Sequence, residues 1–83
     1  MNYTLTEHAR DAMKRRGIRL EWLEQTLAAP QLRQPDEMDH ELEHRLAAIP
    51  EFGNRVLRVI VNTRVAPQRV ITLYFDRRMR GAL

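Results

Sequence analysis

Few side chains in this sequence can do chemistry. Thirteen arginines stand against one lysine, Lys14, with three histidines (His8, His40, His44), two tyrosines (Tyr3, Tyr74) and no cysteine. Arginine binds phosphate bidentately and stacks on flat surfaces, so the bias fits a nucleic-acid or acidic-partner surface. A GC-rich coding bias gives the same count with no function attached, so position must decide. His40 and His44 lie four apart, the spacing that presents two imidazoles from one helix face to a metal, with Asp36, Asp39 and Glu43 nearby. That segment reads as loop plus strand, which separates the rings, and no metal site or cofactor is expected. His8 borders the apolar face of its helix and reads as a capping or core-edge residue. Three glycines are too few for a phosphate-cradling loop. Neither a Ser-His-Asp order nor a paired-carboxylate signature is present.

The elements that must position these residues fit in 83 residues, 43% hydrophobic and 30% charged. That is one domain, residues 1–83, because a second core would have too little to bury. No apolar run approaches the roughly 18 residues of a membrane span, and the first six residues lack a signal-peptide pattern. The absence of cysteine suits a reducing compartment, so a cytoplasmic protein with no membrane partner is expected.

Residues 6–29 read as a helical hairpin. Thr6 is an N-cap, Glu7 suits the first turn, Lys14, Arg15 and Arg16 suit the last, and Gly17 takes the C′ position. Leu5, Ala9, Ala12, Met13 and Arg16 recur every three or four residues, and Leu20, Leu23 and Leu27 do so in the second helix, with Trp22 at its flank. After Pro30 the period becomes two. Residues 31–35 read as an edge strand, 36–41 as an acidic loop, and 42–49 as a strand whose pattern also permits a helix. Residues 50–54 form a turn, and 55–62 and 69–75 form two β-branched strands around the loop 63–68. Residues 76–83 read as a basic, fraying tail. The fold class is therefore α+β: an N-terminal helical hairpin on one face of a 3–4-stranded antiparallel sheet spanning residues 31–76.

So short a pair of helices covers one sheet face and leaves the other open. Alternation puts Ile71, Leu73 and Phe75 inward, with Leu57, Val59 and Val61, and with Leu42 and Leu46. The open face then carries Arg45, Arg58, Thr72, Tyr74 and Asp76 among Val56, Ile60 and Val70. Arg10, Lys14, Arg15 and Arg19 fall on helix surfaces or ends and need no function. Arg45, Arg58, Arg77 and Arg78 lie on or beside the open face and are the candidate nucleic-acid-binding set. Arg58, Tyr74 and Arg45 are the candidate catalytic set. Two plainer readings stand beside this one: Arg58 and Asp76 pair across the sheet, or the apolar floor is a homodimer interface. Replacing Arg58 or Tyr74 is expected to remove any activity and leave the melting temperature unchanged.

The run His8-Ala9-Arg10-Asp11-Ala12-Met13-Lys14-Arg15-Arg16-Gly17-Ile18 resembles the pattern H-A-x-x-R-M-x-x-R-G-I, with Ala12 at the pattern's first Arg. The pattern belongs to a family of small bacterial domains of unknown function placed near the RelE/ParE toxin superfamily. The likeness continues through Leu23, Leu27 and Pro30. It resumes at Gly53-Asn54-Arg55-Val56-Leu57-Arg58-Val59-Ile60-Val61 and at Arg69-Val70-Ile71-Thr72-Leu73-Tyr74-Phe75-Asp76-Arg77-Arg78. The resemblance implies a RelE/ParE-like fold and the toxin of a toxin–antitoxin pair acting on or binding mRNA, with mRNA or the ribosome and an acidic antitoxin as partners. It further implies a metal-independent endoribonuclease in which cations stabilise a pentacovalent phosphate and Tyr74 or a histidine moves the proton. The alternative is a non-catalytic protein-interaction or homodimerisation module on the same fold, and a gyrase-directed poison is a third reading.

Overall fold

The computed structural model describes residues 2–83. It is an α+β arrangement: β1 (Tyr3–Leu5), α1 (Glu7–Arg16), α2 (Leu20–Ala28), β2 (Leu32–Pro35), β3 (Leu42–Ile49), β4 (Arg55–Asn62) and β5 (Gln68–Phe75). Two single 3₁₀ turns follow β3 and β5, at Pro50–Phe52 and Arg77–Met79. The sheet has five strands in the order β1-β5-β4-β3-β2, not three or four. It is mixed rather than antiparallel, because β1 runs parallel to β5, with Tyr3 beside Gln68 and Leu5 beside Val70. Three residues are too short for an alternation pattern, and β1 borrows its order from the edge it joins.

The helices do not form an N-terminal hairpin. They follow β1, and each docks on the sheet rather than chiefly on the other, α1 against β5 and α2 against β4 and β3. The core shared by helices and sheet holds Ala9, Ala12, Ile18, Trp22, Leu23 and Leu27 from the helical side, and Ile49, Leu57, Val59, Val61, Val70 and Leu73 from the strands. Trp22 lies in this core, not at its flank. Its ring stacks on Phe52 at 5.2 Å, and Phe52 meets Phe75 at 5.1 Å, closing one end of the sheet.

Local chemistry sets the boundaries. Thr6 Oγ1 accepts from Ala9 N–H at 3.0 Å, which satisfies one orphan donor of α1. Gly17, at φ 63°, ends the helix in the left-handed region, its N–H turned back to the Lys14 carbonyl. The α2 start has no side-chain cap.

Two irregularities overturn the expected strand parity. A bulge in β5 leaves Ile60 opposite Thr72 and Val61 opposite Val70, so Ile71 is unpaired and the faces exchange there. Val70 therefore enters the core instead of the open face. The Thr6 hydroxyl occupies the freed Ile71 carbonyl at 2.8 Å. In β3 the alternation is inverted from the outset. Arg45 pairs with Val59 and Ala47 with Leu57, so Glu43, Arg45, Ala47 and Ile49 share the helix-covered face. Leu42, His44, Leu46 and Ala48 share the other.

The second face is itself only partly open. Residues 77–83 do not fray but turn across it, and Gly81 and Leu83 line a hollow with Val56 and Ala48. Val56, beside this cover, and Leu46, between its β2 and β4 neighbours, are both buried.

Candidate functional site

What remains uncovered on that face is a groove of about 420 Å³, whose lining includes Gln34, Asp36, Met38, His44, Arg58, Tyr74 and Arg78. Register brings these residues together. β3 pairs with β2 so that His44 faces Gln34, and β4 pairs with β5 so that Arg58 faces Tyr74.

Arg58 is the centre of the groove. Its Nε donates to Asp76 Oδ2 at 2.9 Å, and its Nη1 donates to His44 Nδ1 at 2.8 Å and to Gln34 Oε1 at 3.4 Å. His44 Nε2 lies 2.7 Å from Asp36 Oδ1. Arginine has no acceptor, so Nδ1 accepts and Nε2 carries the proton given to Asp36. The network thus selects one neutral tautomer. Asp36 Oδ2 also accepts from the backbone N–H of Met38 and Asp39, folding the acidic loop around the carboxylate. The hydrogen bond from His44, then those from the two backbone amides, hold the Asp36 carboxyl below its ordinary value.

At the other end, Asp76 anchors the turn that follows β5. Its Oδ1 accepts from the Arg78 N–H at 3.1 Å and from Arg78 Nε at 3.4 Å. Burial pushes the Asp76 carboxyl up, but hydrogen bonds from Arg78 and Arg58 together outweigh it and keep the pKa low. Among the described residues no buried side-chain nitrogen or oxygen lacks a partner. A polar network satisfied in this way is rigid, and an Asp–His pair oriented by its surroundings can accept a proton at Nδ1 once Arg58 turns to another acceptor.

The expected site residues divide. Arg58, Tyr74 and Arg78 converge in the groove. Arg45 does not: it lies under the helices, 6% exposed, donating through Nη1 to the Leu27 carbonyl at 3.1 Å and to Gln68 Oε1 at 3.3 Å, and through Nε to Glu43 at 2.6 Å. It satisfies a carbonyl in the last turn of α2 and is a structural arginine. Arg77 points to a second hollow on the far side of its turn. The pairing of Arg58 with Asp76 holds, but the pair is buried, with side chains 10% and 3% exposed. Arg58 therefore cannot be removed without cost to stability.

The residues missed were His44 and Asp36. They flank the β2–β3 connection, and a hairpin register pairing residue 35 with residue 43 puts them side by side. His8 and His40 are exposed and join nothing in the groove. Among the described residues no three His, Asp or Glu side chains gather as metal ligands. No helix in the described residues is long and apolar enough to cross a membrane.

Neither a curated protein nor a solved structure matches the chain. One family model does, described as a domain of unknown function, DUF4258, and it covers residues 5–75. Those residues carry β1 from its last residue, both helices and the remaining strands through the end of β5, including Asp36, His44, Arg58 and Tyr74. The chain belongs to the DUF4258 family.

Proposed function

We propose that this protein is an RNA-directed, toxin-like domain that engages a phosphodiester in the Arg58–His44 groove. The observation that carries the reading is the Asp36–His44–Arg58 chain, a neutral imidazole fixed between a carboxylate and a guanidinium, with Tyr74 lining the same groove. A phosphate oxygen is a stronger acceptor for Arg58 than an imidazole nitrogen. When Arg58 Nη1 moves onto the phosphate, His44 Nδ1 is released. It takes the proton of the ribose 2′-hydroxyl, while Asp36 stabilises the imidazolium through Nε2–H. The 2′-oxygen attacks phosphorus, the bond to the 5′-oxygen breaks, and the Tyr74 hydroxyl supplies the leaving group's proton. The products are a 2′,3′-cyclic phosphate and a 5′-hydroxyl, with no metal in the step. An acidic partner segment lying over Arg58 and Arg78 would silence such a site.

The test is cleavage of single-stranded RNA with end-group analysis. Cyclic phosphate ends that appear with the native protein and vanish with His44→Ala and Tyr74→Phe support the reading. Cleavage untouched by His44→Ala overturns the assigned base, and intact RNA throughout overturns catalysis.

A second reading, a protein-interaction face, is favoured by Met38, which stands 91% exposed at the rim of the groove. A salt-insensitive dimer in sedimentation that Met38→Ser dissolves would support it.

A further inference from the structure

The Arg77–Met79 turn divides two hollows. Arg78 lines the groove just described, whereas its neighbour Arg77 lines a separate cavity of about 450 Å³ at the end of the sheet. Its cationic lining comes from four places in the chain: Arg16 at the end of α1, Arg55 at the start of β4, and Arg77 and Arg80 in the C-terminal segment. None of these four guanidiniums makes a carboxylate ion pair among the described residues; the ion pairs belong to Arg33, Arg45, Arg58, Arg78 and His44. The one acid at the cavity, Asp76, is already committed to Arg58 and Arg78.

Four uncompensated positive charges around one hollow are a repulsive arrangement unless an anion enters. The floor narrows which anion. Phe52 and Phe75 line the cavity with their rings 5.1 Å apart, and both belong to the aromatic cluster with Trp22. Arg55 lies over Phe52 at 4.7 Å, and Arg80 is tied to the Gly53 carbonyl at 3.3 Å, so two of the four cations are held in place before any ligand arrives. Arg55 and Trp22 together cover Phe52, so the surface offered to a ligand is the Arg55 guanidinium beside Phe75, which suits a flat ring attached to a phosphate, and the volume is that of a small-molecule site.

We infer that this cavity is a nucleotide-phosphate site: the phosphate sits between Arg77 and Arg80, with the base against Phe75 and stacked on the Arg55 guanidinium that covers Phe52. The shared chemistry is a nucleoside phosphate, either free or as one residue of a single-stranded RNA. The site does not depend on catalysis in the groove, and its four arginines take no part in the step proposed there.

Binding of AMP is measured by calorimetry and of fluorescein-labelled single-stranded RNA by anisotropy, each with the intact protein. The exposed pair Arg77→Gln/Arg80→Gln is expected to weaken both about tenfold or more and to lower the RNA salt slope by about one. Arg33→Gln, an exposed arginine outside the cavity, is expected to leave both unchanged. AMP binding that is lost in the double variant marks a site for the free nucleotide. RNA binding lost without measurable AMP binding marks a subsite for a strand. The inference is overturned if the double variant binds both probes as well as the native protein, or if Arg33→Gln weakens them equally. Failure here is distinguishable from failure of the groove, because His44→Ala must leave AMP binding intact whether or not RNA is cut.

Discussion

Arg58→Met offers the sharpest measurement of what the groove is made of. The substitution keeps the length of the stem and deletes the guanidinium, leaving Asp76 with a side chain 3% exposed and the nearer of its two cations gone. Breaking a buried pair from one side costs about 3–5 kcal/mol. The lower end applies here, because the Arg78 N–H at 3.1 Å still donates to Asp76 Oδ1. About 3 kcal/mol in a domain of this size lowers the melting temperature by roughly 12–24 °C. Asp76→Asn keeps the backbone hydrogen bond and removes the charge, so the double variant Arg58→Met/Asp76→Asn is expected to recover about 2 kcal/mol relative to the sum of the singles. Acid gives an independent check. The Asp76 carboxyl is held below its ordinary value of 3.8 in the folded protein, so the unfolded chain takes up the proton first. The stabilisation is complete above about pH 4 and disappears as pH falls through the folded value. The native protein should lose stability below pH 4 more steeply than Arg58→Met. Thermal melts of the four proteins against pH settle it. A single variant melting within about 3 °C of native, or strictly additive losses, would refute the buried pair as the groove's support.

Thr6→Val removes both the N-cap of α1 and the hydrogen bond to Ile71, and should cost about 2 kcal/mol in chemical denaturation, whereas Thr6→Ser should restore most of it. Arg45→Ala strips the Leu27 carbonyl, Gln68 and Glu43 of a donor at a buried position; it should destabilise by about 2 kcal/mol and leave RNA cleavage per folded molecule unchanged. Gly17→Ala has open space for its methyl group but a φ of 63°, so a loss of about 1 kcal/mol from backbone strain alone is expected in thermal melts. Burial, then the hydrogen bond to Glu24, pushes the Tyr3 phenol up to about 12. Its phenolate absorbance should rise near that pH, and Glu24→Gln should move the midpoint down. The linked stabilisation is complete below pH 10 and lost as pH rises towards 12.

The helices were legible because their signals are local. Thr6, Gly17 and the cationic last turn act within a few residues of where they stand, and β4 and β5 declare themselves by β-branched runs. What failed is what depends on a partner strand. In β3, Leu42 and Leu46 are as apolar as core residues, yet they lie on the sheet face away from the helices, so hydrophobicity did not reveal which face they took. Val70 and Ile71 are near-equivalent side chains, and only the bulge decides which enters the core. The groove was half legible: Arg58, Tyr74 and Arg78 followed from β4, β5 and what comes after them. His44 and Asp36 needed the β2–β3 register, which a Pro-ended four-residue strand does not announce. Arg45 was misplaced with its strand.

The parallel pairing of β1 with β5 has a consequence for synthesis. Leu5 meets Val70, and the Thr6 hydroxyl reaches Ile71 across 65 positions of sequence. β1 therefore has no sheet edge to join until β5 has been made. Until then α1 also lacks the strand it packs against, and Ala9 and Ala12 stay wet. Closure over so long a span is slow to nucleate. β1 and α1 should consequently dock only once β5 is present, rather than in the order in which the elements are made.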